Sequence, residues 1–183
     1  MTDRQLPENA HMIPENAQLV FKGKIFDVYQ WEQEMFDGSF HTFEMLRRPD
    51  TALVIPIVDD HIIVLDEEQP GKPIEYDRLV GGRVEEGESP LEAAKRELRE
   101  EIGMEFSDWV LLEVKQPALK LEWFVYVYVA VKKTRQVETN HEVGEKITIK
   151  ELSFDEFKQT SEGKSDILRG INTVEELLEK VGL

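Results

Sequence analysis

The sequence predicts an α+β domain with a mixed β-sheet and few helices. Segments rich in β-branched and aromatic residues recur from about residue 19 to residue 152. The apolar spacing changes to a helical period between residues 89 and 103, and two short helical segments close the chain. A chain of 183 residues is long enough to fold as one domain around a substantial core. This order of elements is typical of α+β or α/β proteins.

Composition and charge exclude several classes of protein. Hydrophobic residues make up 40% of the chain and charged residues 33%, as in globular proteins, and no apolar run approaches the ~20 residues that span a bilayer. The formal net charge of -16 would repel the phosphate backbone of nucleic acid. The lack of cysteine excludes disulfides, thiolate zinc sites and cysteine nucleophiles. Since no signal peptide is visible either, we expect a cytoplasmic protein that binds neither nucleic acid nor membrane.

The N-terminal quarter of the chain predicts a tail and an antiparallel β segment. Residues 1–17 are polar and are expected to form a flexible tail, and residues 18–48 are expected to form the β segment. Strand-like stretches lie at 19–21 and 25–36. The pair Asp37-Gly38 between two phenylalanines is a strong hairpin signal, and the return strand covers residues 40–46.

Residues 49–183 are predicted to form the main domain. The strand-like segments of this part lie at 52–58, 62–65, 76–80, 109–114, 121–131 and 146–152. Helices are expected at 154–160 and 173–181, the second of them with Thr173 and Glu176 as a capping box.

The helix with the strongest signals covers residues 90–102. Ser89 is a good N-cap, Pro90 suits the first helical position, and Glu92 completes a capping box with Ser89. Gly103 is a good C-terminal stop.

This helix has an acidic face beside its apolar face. At about 100° per residue, one arc contains the apolar residues Leu91, Ala94, Leu98 and Ile102. The neighbouring arc contains Glu97, Glu100 and Glu101 with Ala93. Like charges three and four residues apart weaken a helix. This cost is explained either by simple solvation of an acidic face or by binding of Mg²⁺, which takes hard oxygen ligands.

The stretch from Gly82 to Met104 resembles the Nudix box. In that motif a glycine and a glutamate precede the run arginine–glutamate–aliphatic–x–glutamate–glutamate–x–glycine–aliphatic. Every defined position is filled at the right spacing by Gly82, Glu88, Arg96, Glu97, Leu98, Glu100, Glu101, Gly103 and Met104. Such a match is far more specific than a lone glycine-rich loop. It implies the Nudix fold, an α/β/α sandwich with a mixed β-sheet, here with an additional N-terminal antiparallel sheet.

The resemblance also implies a role for each residue of the box. Glu88 would support the metal site directly or through water, and Arg96 would pair with a box glutamate and orient it. The expected metal ligands are the backbone carbonyl of Gly82 and the carboxylates of Glu97, Glu100 and Glu101. The implied cofactor is Mg²⁺, with Mn²⁺ as a substitute. The implied reaction is hydrolysis of the pyrophosphate bond in a nucleoside diphosphate linked to another group.

Residues 18–152 resemble the ADP-ribose pyrophosphatase branch of the family. The N-terminal strands of this branch commonly pack across a homodimer, which we therefore expect here. The general base is often a glutamate of the box or of a later loop, so the candidates are Glu100, Glu101 and, in the segment 142–147, Glu145 in preference to Glu142. Glu122 lies at the place of an acidic residue of the branch and is a candidate substrate contact.

Two departures from the branch concern the substrate. Gln69-Pro70 is followed by Gly71-Lys72 where arginine is usual, and Lys72 could contact phosphate without arginine's bidentate fork. Arg78 stands in place of the usual glutamate before the box and is a second candidate contact. ADP-ribose and nucleotide sugars are the expected substrates. The alternatives are nucleoside triphosphates, dinucleoside polyphosphates, or a nucleotide-sensing domain without catalysis.

Overall fold

The fold consists of two β-sheets, with helices packed on the larger one. The computed structural model describes residues 5–141, 143–161, 163 and 168–183. In chain order its elements are β1 (Gln18–Lys22), β2 (Asp27–Glu34), β3 (Phe40–Arg47), β4 (Thr51–Val58), β5 (His61–Glu68), β6 (Glu75–Arg78), β7 (Val80–Arg83), α1 (Pro90–Ile102), β8 (Met104–Lys115), β9 (Leu121–Glu122), β10 (Val125–Gln136), β11 (Lys146–Ser153), α2 (Phe154–Phe157) and α3 (Val174–Val181).

The N-terminal sheet has the strand order β1-β2-β3-β9. The hairpin predicted at residues 37–38 is confirmed, because β2 and β3 pair antiparallel around Gly38, whose φ is 81°. The strand predicted from residue 25 begins later. The N–H of Gly23 donates to the carbonyl of Phe26 at 3.1 Å, so residues 23–26 form a turn and β2 starts at Asp27.

The larger sheet has the order β11-β5-β4-β10-β8, with β6 paired to β5 and β7 paired to β4. β4 and β10 run parallel, whereas the other neighbouring pairs run antiparallel. The predicted mixed sheet is therefore confirmed.

Helices cover both faces of this sheet. Side chains alternate along β10, so that Tyr126 faces α1 and joins a core cluster with Leu98. The next residue, Val127, faces the opposite side and joins a second cluster with Phe157 of α2 and Leu177 of α3. Two apolar cores thus lie between three layers, which confirms the α/β/α sandwich.

One predicted strand, 121–131, is divided between the two sheets. Leu121 and Glu122 pair with β3 in the N-terminal sheet, whereas β10 begins at Val125 in the larger sheet. Between them, the N–H of Phe124 donates to the carboxylate of Asp50 at 2.9 Å. The change of sheet happens without any proline or glycine that could mark it in the sequence.

The C-terminal helices are shorter than predicted. The N–H of Thr160 donates to the carbonyl of Phe157 at 2.9 Å, three residues back, so the chain after α2 tightens into turns. Before α3, Thr173 Oγ1 accepts the N–H of Glu176 at 3.1 Å, but the carboxylate of Glu176 accepts the N–H of Asn172 instead. Only half of the predicted capping box forms.

Residues 5–17 contain no helix or strand, yet they lie against the domain. The N–H of Ile13, a buried residue, donates to the carboxylate of Glu122 at 2.8 Å. The hydroxyl of Tyr126 donates to the carbonyl of Gln5 at 2.9 Å. The described part of the predicted flexible tail is thus attached to both sheets.

Among the helices of the described residues, none is long and apolar enough to cross a membrane.

Candidate active site

Local capping fixes the position of α1. The hydroxyl of Ser89 accepts the N–H of Glu92 at 3.3 Å, and the carboxylate of Glu92 accepts the N–H of Ser89 at 2.8 Å, which confirms the capping box. Gly103 ends the helix in the left-handed conformation, with φ 65°, and donates to the carbonyl of Arg99 at 3.0 Å. Both ends of the helix are therefore where the sequence predicts them.

Arg96 is the centre of an ion-pair network on α1. Its guanidinium donates to both carboxylate oxygens of Glu88, at 3.0 and 3.1 Å. It also donates to Glu97 at 2.7 Å, to Glu100 at 3.0 Å and to the carbonyl of Arg83 at 2.9 Å. The hydrogen bond to Glu88 is the largest cause that raises the pKa of Arg96 above its usual value, and the contacts with Glu97 and Glu100 raise it further. Burial lowers the pKa of Arg96 but is outweighed. The structure thus places Arg96 where the predicted pairing with box glutamates requires it.

Glu101 is the deeply buried glutamate of the box, with 8% of its surface exposed. Its carboxylate accepts the N–H of Gly81 at 2.8 Å. Burial raises the pKa of Glu101 to about 7, the charges of Glu97 and Glu145 raise it as well, and the Gly81 hydrogen bond and Arg78 lower it. A carboxylate in this position is stable as an anion when a cation lies near it.

Two glycines bring the backbone of β7 close to its neighbours. A Cβ added to Gly82 would lie 2.4 Å from Oε1 of Glu97, so a side chain here would displace that carboxylate. Gly81 has φ 143°, and a Cβ there would lie 2.1 Å from the carbonyl oxygen of Ala52 on β4. The box glycine therefore makes room for a box glutamate.

These groups line one cleft of about 490 Å³. The predicted site residues that line it are Lys72, Arg78, Gly82, Arg96, Glu97, Glu100, Glu101 and Glu145. Glu88 does not line the cleft, but it accepts two hydrogen bonds from Arg96, which does.

A chain of side-chain contacts holds another wall of the cleft. Arg78 forms an ion pair with Glu67, which is buried near the end of β5. The amide of Gln69 donates to Glu67 and, at 3.2 Å, to Glu145. Lys72 donates to the side-chain oxygen of Gln69. Residues from three separate segments of the sequence meet in this way.

Residues of the loop before β11 cap the C-terminal end of α1. The N–H of Asn140 donates to the carbonyl of Glu100 at 2.9 Å, and Nε2 of His141 lies 2.9 Å from the carbonyl of Glu101. The second contact requires the tautomer with hydrogen on Nε2. Both residues line the cleft and bond carbonyls that the helix leaves open. The next residue, Glu142, the less favoured candidate base, lies outside the described residues.

Glu122 lies in a neighbouring cluster and does not line this cleft. It is 2% exposed and accepts hydrogen bonds from Arg47 at 3.0 and 3.2 Å and from the N–H of Ile13 at 2.8 Å. Because Arg47 and Glu122 are also paired in the β3–β9 register, the ion pair reinforces the pairing of β9 with β3 inside the N-terminal sheet. The substrate contact expected of Glu122 stays a prediction.

Part of the lining was not predicted from the sequence, namely Glu67, Gln69, Gly81, Arg83, Glu85, Asn140 and His141. Gln69 had a signal, because Gln69-Pro70 belongs to the segment that resembles the ADP-ribose pyrophosphatase branch. Glu67 shares the face of β5 with the buried Leu65 and could have been found from the period of the strand. The loop residues have no sequence signal and are brought to the cleft by the fold.

The donor set of the cleft fits a hard divalent cation. Glu97, Glu100 and Glu101 offer carboxylate oxygens, and thiolate ligands are absent from the sequence. Within the described residues no group of three or more acidic or histidine side chains is arranged so that it could hold a metal ion. Two of the carboxylates bind Arg96 instead. An open cluster of this kind suits Mg²⁺, which keeps waters and substrate phosphates in its shell.

The sequence is similar to those of a known family and of several characterised proteins. Residues 47–170 match the NUDIX domain family. The ADP compounds hydrolase NudE of Escherichia coli (strain K12) is 32% identical over 100 residues, which are 54% of each chain. The methanol dehydrogenase activator of Bacillus methanolicus is 31% identical over 115 residues, 61% of each chain. The ADP-ribose pyrophosphatase of Bacillus subtilis (strain 168) is 33% identical over 86 residues, 46% of each chain. The chain thus spans about half the length of the curated relatives it matches.

The fold is also similar to that of a solved structure. A crystal structure of an ADP compounds hydrolase is similar with a TM-score of 0.67, over 90% of this chain and 92% of that chain, at 22% identity. This likeness shows the shared fold. The family match covers well over half of the chain and includes the whole box and all residues of the cleft. The chain therefore belongs to the NUDIX family.

Proposed function

We propose that this protein is a Mg²⁺-dependent pyrophosphohydrolase. Its substrate is a nucleoside diphosphate linked to another group, with ADP-ribose or a nucleotide sugar as the specific candidates. One observation carries the proposal: the cleft that contains Glu97, Glu100 and Glu101 also contains the cations Arg78 and Lys72. The carboxylates suit a divalent metal, and the two cations suit the phosphates.

The metal is needed because a pyrophosphate is anionic and the cleft is rich in carboxylates. Members of the family generally use divalent metal ions. When bound, such an ion neutralises phosphate charge and lowers the pKa of a coordinated water. The groups that would hold it are the carbonyl of Gly82 and the carboxylates of Glu97, Glu100 and Glu101, with Glu88 supporting them through Arg96. Hard oxygen donors favour Mg²⁺, and Mn²⁺ would substitute.

Glu145 is the proposed general base. It lines the cleft, and the amide of Gln69 donates to its carboxylate at 3.2 Å, which fixes the carboxylate near the metal ligands. Glu145 would take a proton from water as the water oxygen bonds to phosphorus. The bridging P–O bond breaks, and the products are a nucleoside monophosphate and the phosphate ester of the second group. Glu100 and Glu101 are the alternative bases within the box.

The names of the relatives favour nucleoside diphosphate derivatives over triphosphates. One relative is called an ADP compounds hydrolase and another an ADP-ribose pyrophosphatase. Arg78 and Lys72 are the proposed contacts to the phosphates, with Arg78 able to offer several N–H groups.

We also propose that the protein is a homodimer. Large apolar side chains of β1 and β3 are exposed in the single chain, with Phe21 at 61% and Phe40 at 62%. Exposed large apolar side chains grouped on one small sheet are typical of a protein–protein contact. A second copy packed on the N-terminal sheet would cover it.

A hydrolysis screen tests the proposed reaction. Purified protein with Mg²⁺, or with Mn²⁺, is offered ADP-ribose, nucleotide sugars, nucleoside triphosphates and dinucleoside polyphosphates, and a phosphatase reports the new monophosphate ends. We expect turnover of ADP-ribose or a nucleotide sugar, no turnover with a chelator, and loss of turnover in Glu101→Gln. Preference for triphosphates or dinucleoside polyphosphates would overturn the substrate class. Tight nucleotide binding without turnover of any compound would favour a nucleotide-sensing domain.

A further inference from the structure

Strand β6 contains one extra residue beside the cleft. In its register with β5, Glu75 pairs with Glu67 and Arg78 pairs with Leu65, so three steps on β6 match two steps on β5. Asp77 lies within this β-bulge and has φ 54°, in the left-handed region that aspartate tolerates better than most residues. Bulges of this kind often lie next to active sites, where they redirect a side chain.

The extra residue decides which side chain faces the cleft. Directly paired residues of antiparallel strands project from the same face of the sheet. Arg78 therefore shares the face of Leu65, which belongs to the core cluster beneath α1. In a regular register Leu65 would pair with Asp77, and a carboxylate would enter a cleft that already contains the box glutamates. The bulge thus replaces an acidic side chain at this position by a basic one.

The N–H and the carboxylate of Asp77 are bound by side chains on the opposite face of the sheet. The N–H of Asp77 donates to Oδ1 of Asp66 at 3.0 Å. Nζ of Lys150 lies 3.1 Å from the same oxygen and forms a second ion pair with the carboxylate of Asp77. Lys150 pairs with Val64 in the β11–β5 register, which puts it on the face of Asp66. The three side chains are only partly exposed, so water competes for them less than on an open surface.

We propose that Asp77, Asp66 and Lys150 are positioning residues, which hold the bulge of β6 and thereby keep Arg78 in the cleft as a phosphate contact. None of the three lines the cleft, so they act through Arg78. This role of the three residues rests on the proposed function, because that function supplies the substrate whose phosphate Arg78 would contact.

A double-mutant cycle with Arg78 tests this. Asp77→Ala removes the carboxylate and disfavours the left-handed backbone, so we expect KM for ADP-ribose to rise about 10-fold to 100-fold, as for other small displacements of a contact, with a smaller change in kcat. Arg78→Met should raise KM by a similar factor. If Asp77 acts through Arg78, adding Asp77→Ala to Arg78→Met changes KM no further. Independent, multiplied effects would overturn the proposal.

Conservative variants separate positioning from general stability. Asp77→Gly keeps the backbone conformation accessible and should disturb KM less than Asp77→Ala. Lys150→Met should raise KM, and Lys150→Arg should restore it. Lys146→Met is the matched control, because Lys146 is on the same strand, is 77% exposed and pairs with Glu68 at the surface. Equal effects of Lys150→Met and Lys146→Met would contradict the assigned role.

Hydrogen exchange gives a readout that does not depend on turnover. In Lys150→Met, the amides of residues 76–78 should exchange faster than in the parent protein, whereas those of α1 should not change. Unchanged exchange on β6 would show that Asp77, Asp66 and Lys150 do not hold the bulge, even if the protein is an active enzyme. A different result is that the parent protein hydrolyses no pyrophosphate while exchange on β6 is still faster in Lys150→Met. That result would support the role of Asp77, Asp66 and Lys150 in holding the bulge and would contradict the proposed function instead.

Discussion

Arg96 and Glu88 are joined by two parallel hydrogen bonds, Nε to Oε1 at 3.0 Å and Nη2 to Oε2 at 3.1 Å, across the loop that leads into α1. Because Nη1 of the same guanidinium binds Glu97 and Glu100, the ion pair fixes the orientation of two predicted metal ligands. Glu88 thus acts on the predicted metal ligands through Arg96, without lining the cleft.

We expect Arg96→Lys to lower kcat/KM about 10-fold to 100-fold, the loss typical for groups that orient metal ligands. An ammonium keeps the charge but cannot make the bidentate contact with Glu88 and also bind the other carboxylates. Steady-state kinetics at several Mg²⁺ concentrations measures this. Arg99→Lys on the same helix is the control, because Arg99 pairs with Glu105 at the surface. Equal kinetics for Arg96→Lys and the parent protein would contradict the orienting role.

Gly82→Ala is expected to lower activity on the order of 100-fold, because its Cβ would lie 2.4 Å from Oε1 of Glu97 and must displace that carboxylate. The Mg²⁺ concentration for half-maximal activity should rise as well. Gly87→Ala is the matched control, since nothing lies within 4 Å of its added Cβ. It should cost stability, about 1–2 kcal/mol for its positive φ, and leave the Mg²⁺ dependence unchanged. A normal metal dependence in Gly82→Ala would exclude Glu97 as a ligand.

Glu145→Gln should reduce kcat about 10²-fold to 10⁴-fold if Glu145 is the general base. KM should change little, because the amide keeps the size of the side chain and its contact with Gln69. Single-turnover kinetics isolates the chemical step. Glu138→Gln, an exposed glutamate that precedes the same loop, serves as the control. A kcat within a few-fold of the parent value would move the base to Glu100 or Glu101.

Phe21→Glu is predicted to dissociate the proposed homodimer, because it replaces an exposed apolar side chain of β1 by a charge. Light scattering after gel filtration should show the mass falling from about twice 21.3 kDa to 21.3 kDa. Tyr76→Glu changes an aromatic side chain of similar exposure on the other sheet and should leave the dimer intact. A parent protein that is already monomeric at micromolar concentration would rule out the dimer.

Ser89→Ala should destabilise the protein by about 1 kcal/mol, the usual loss for an N-cap hydroxyl. For a chain of this length the unfolding midpoint would fall by roughly 2–4 °C. Thermal unfolding followed by circular dichroism measures the change. Ser107→Ala is the control, because Ser107 lies exposed within a strand and caps no helix. No difference between the two variants would show that the capping box contributes little.

Local sequence patterns are sufficient to predict most of the secondary-structure elements and the acidic face of α1. Strand and helix signals are local, since side-chain period, turn glycines and caps act within a few residues. For the same reason the faces of α1 follow from its period, and the structure confirms the burial of Leu98 and Ile102. The metal ligands could be proposed because Glu97, Glu100 and Glu101 lie within two turns of one helix.

The residues that face these glutamates follow from contacts between distant parts of the chain. Glu67, Gln69 and Glu145 meet because β5 and β11 are neighbours in the sheet, a contact between segments far apart in the chain. The division of residues 121–131 between two sheets was likewise set by pairing partners. Arg78 enters the cleft because the β5–β6 register contains one extra residue. Register depends on which strands pair, and a shift of one residue turns each side chain to the other face.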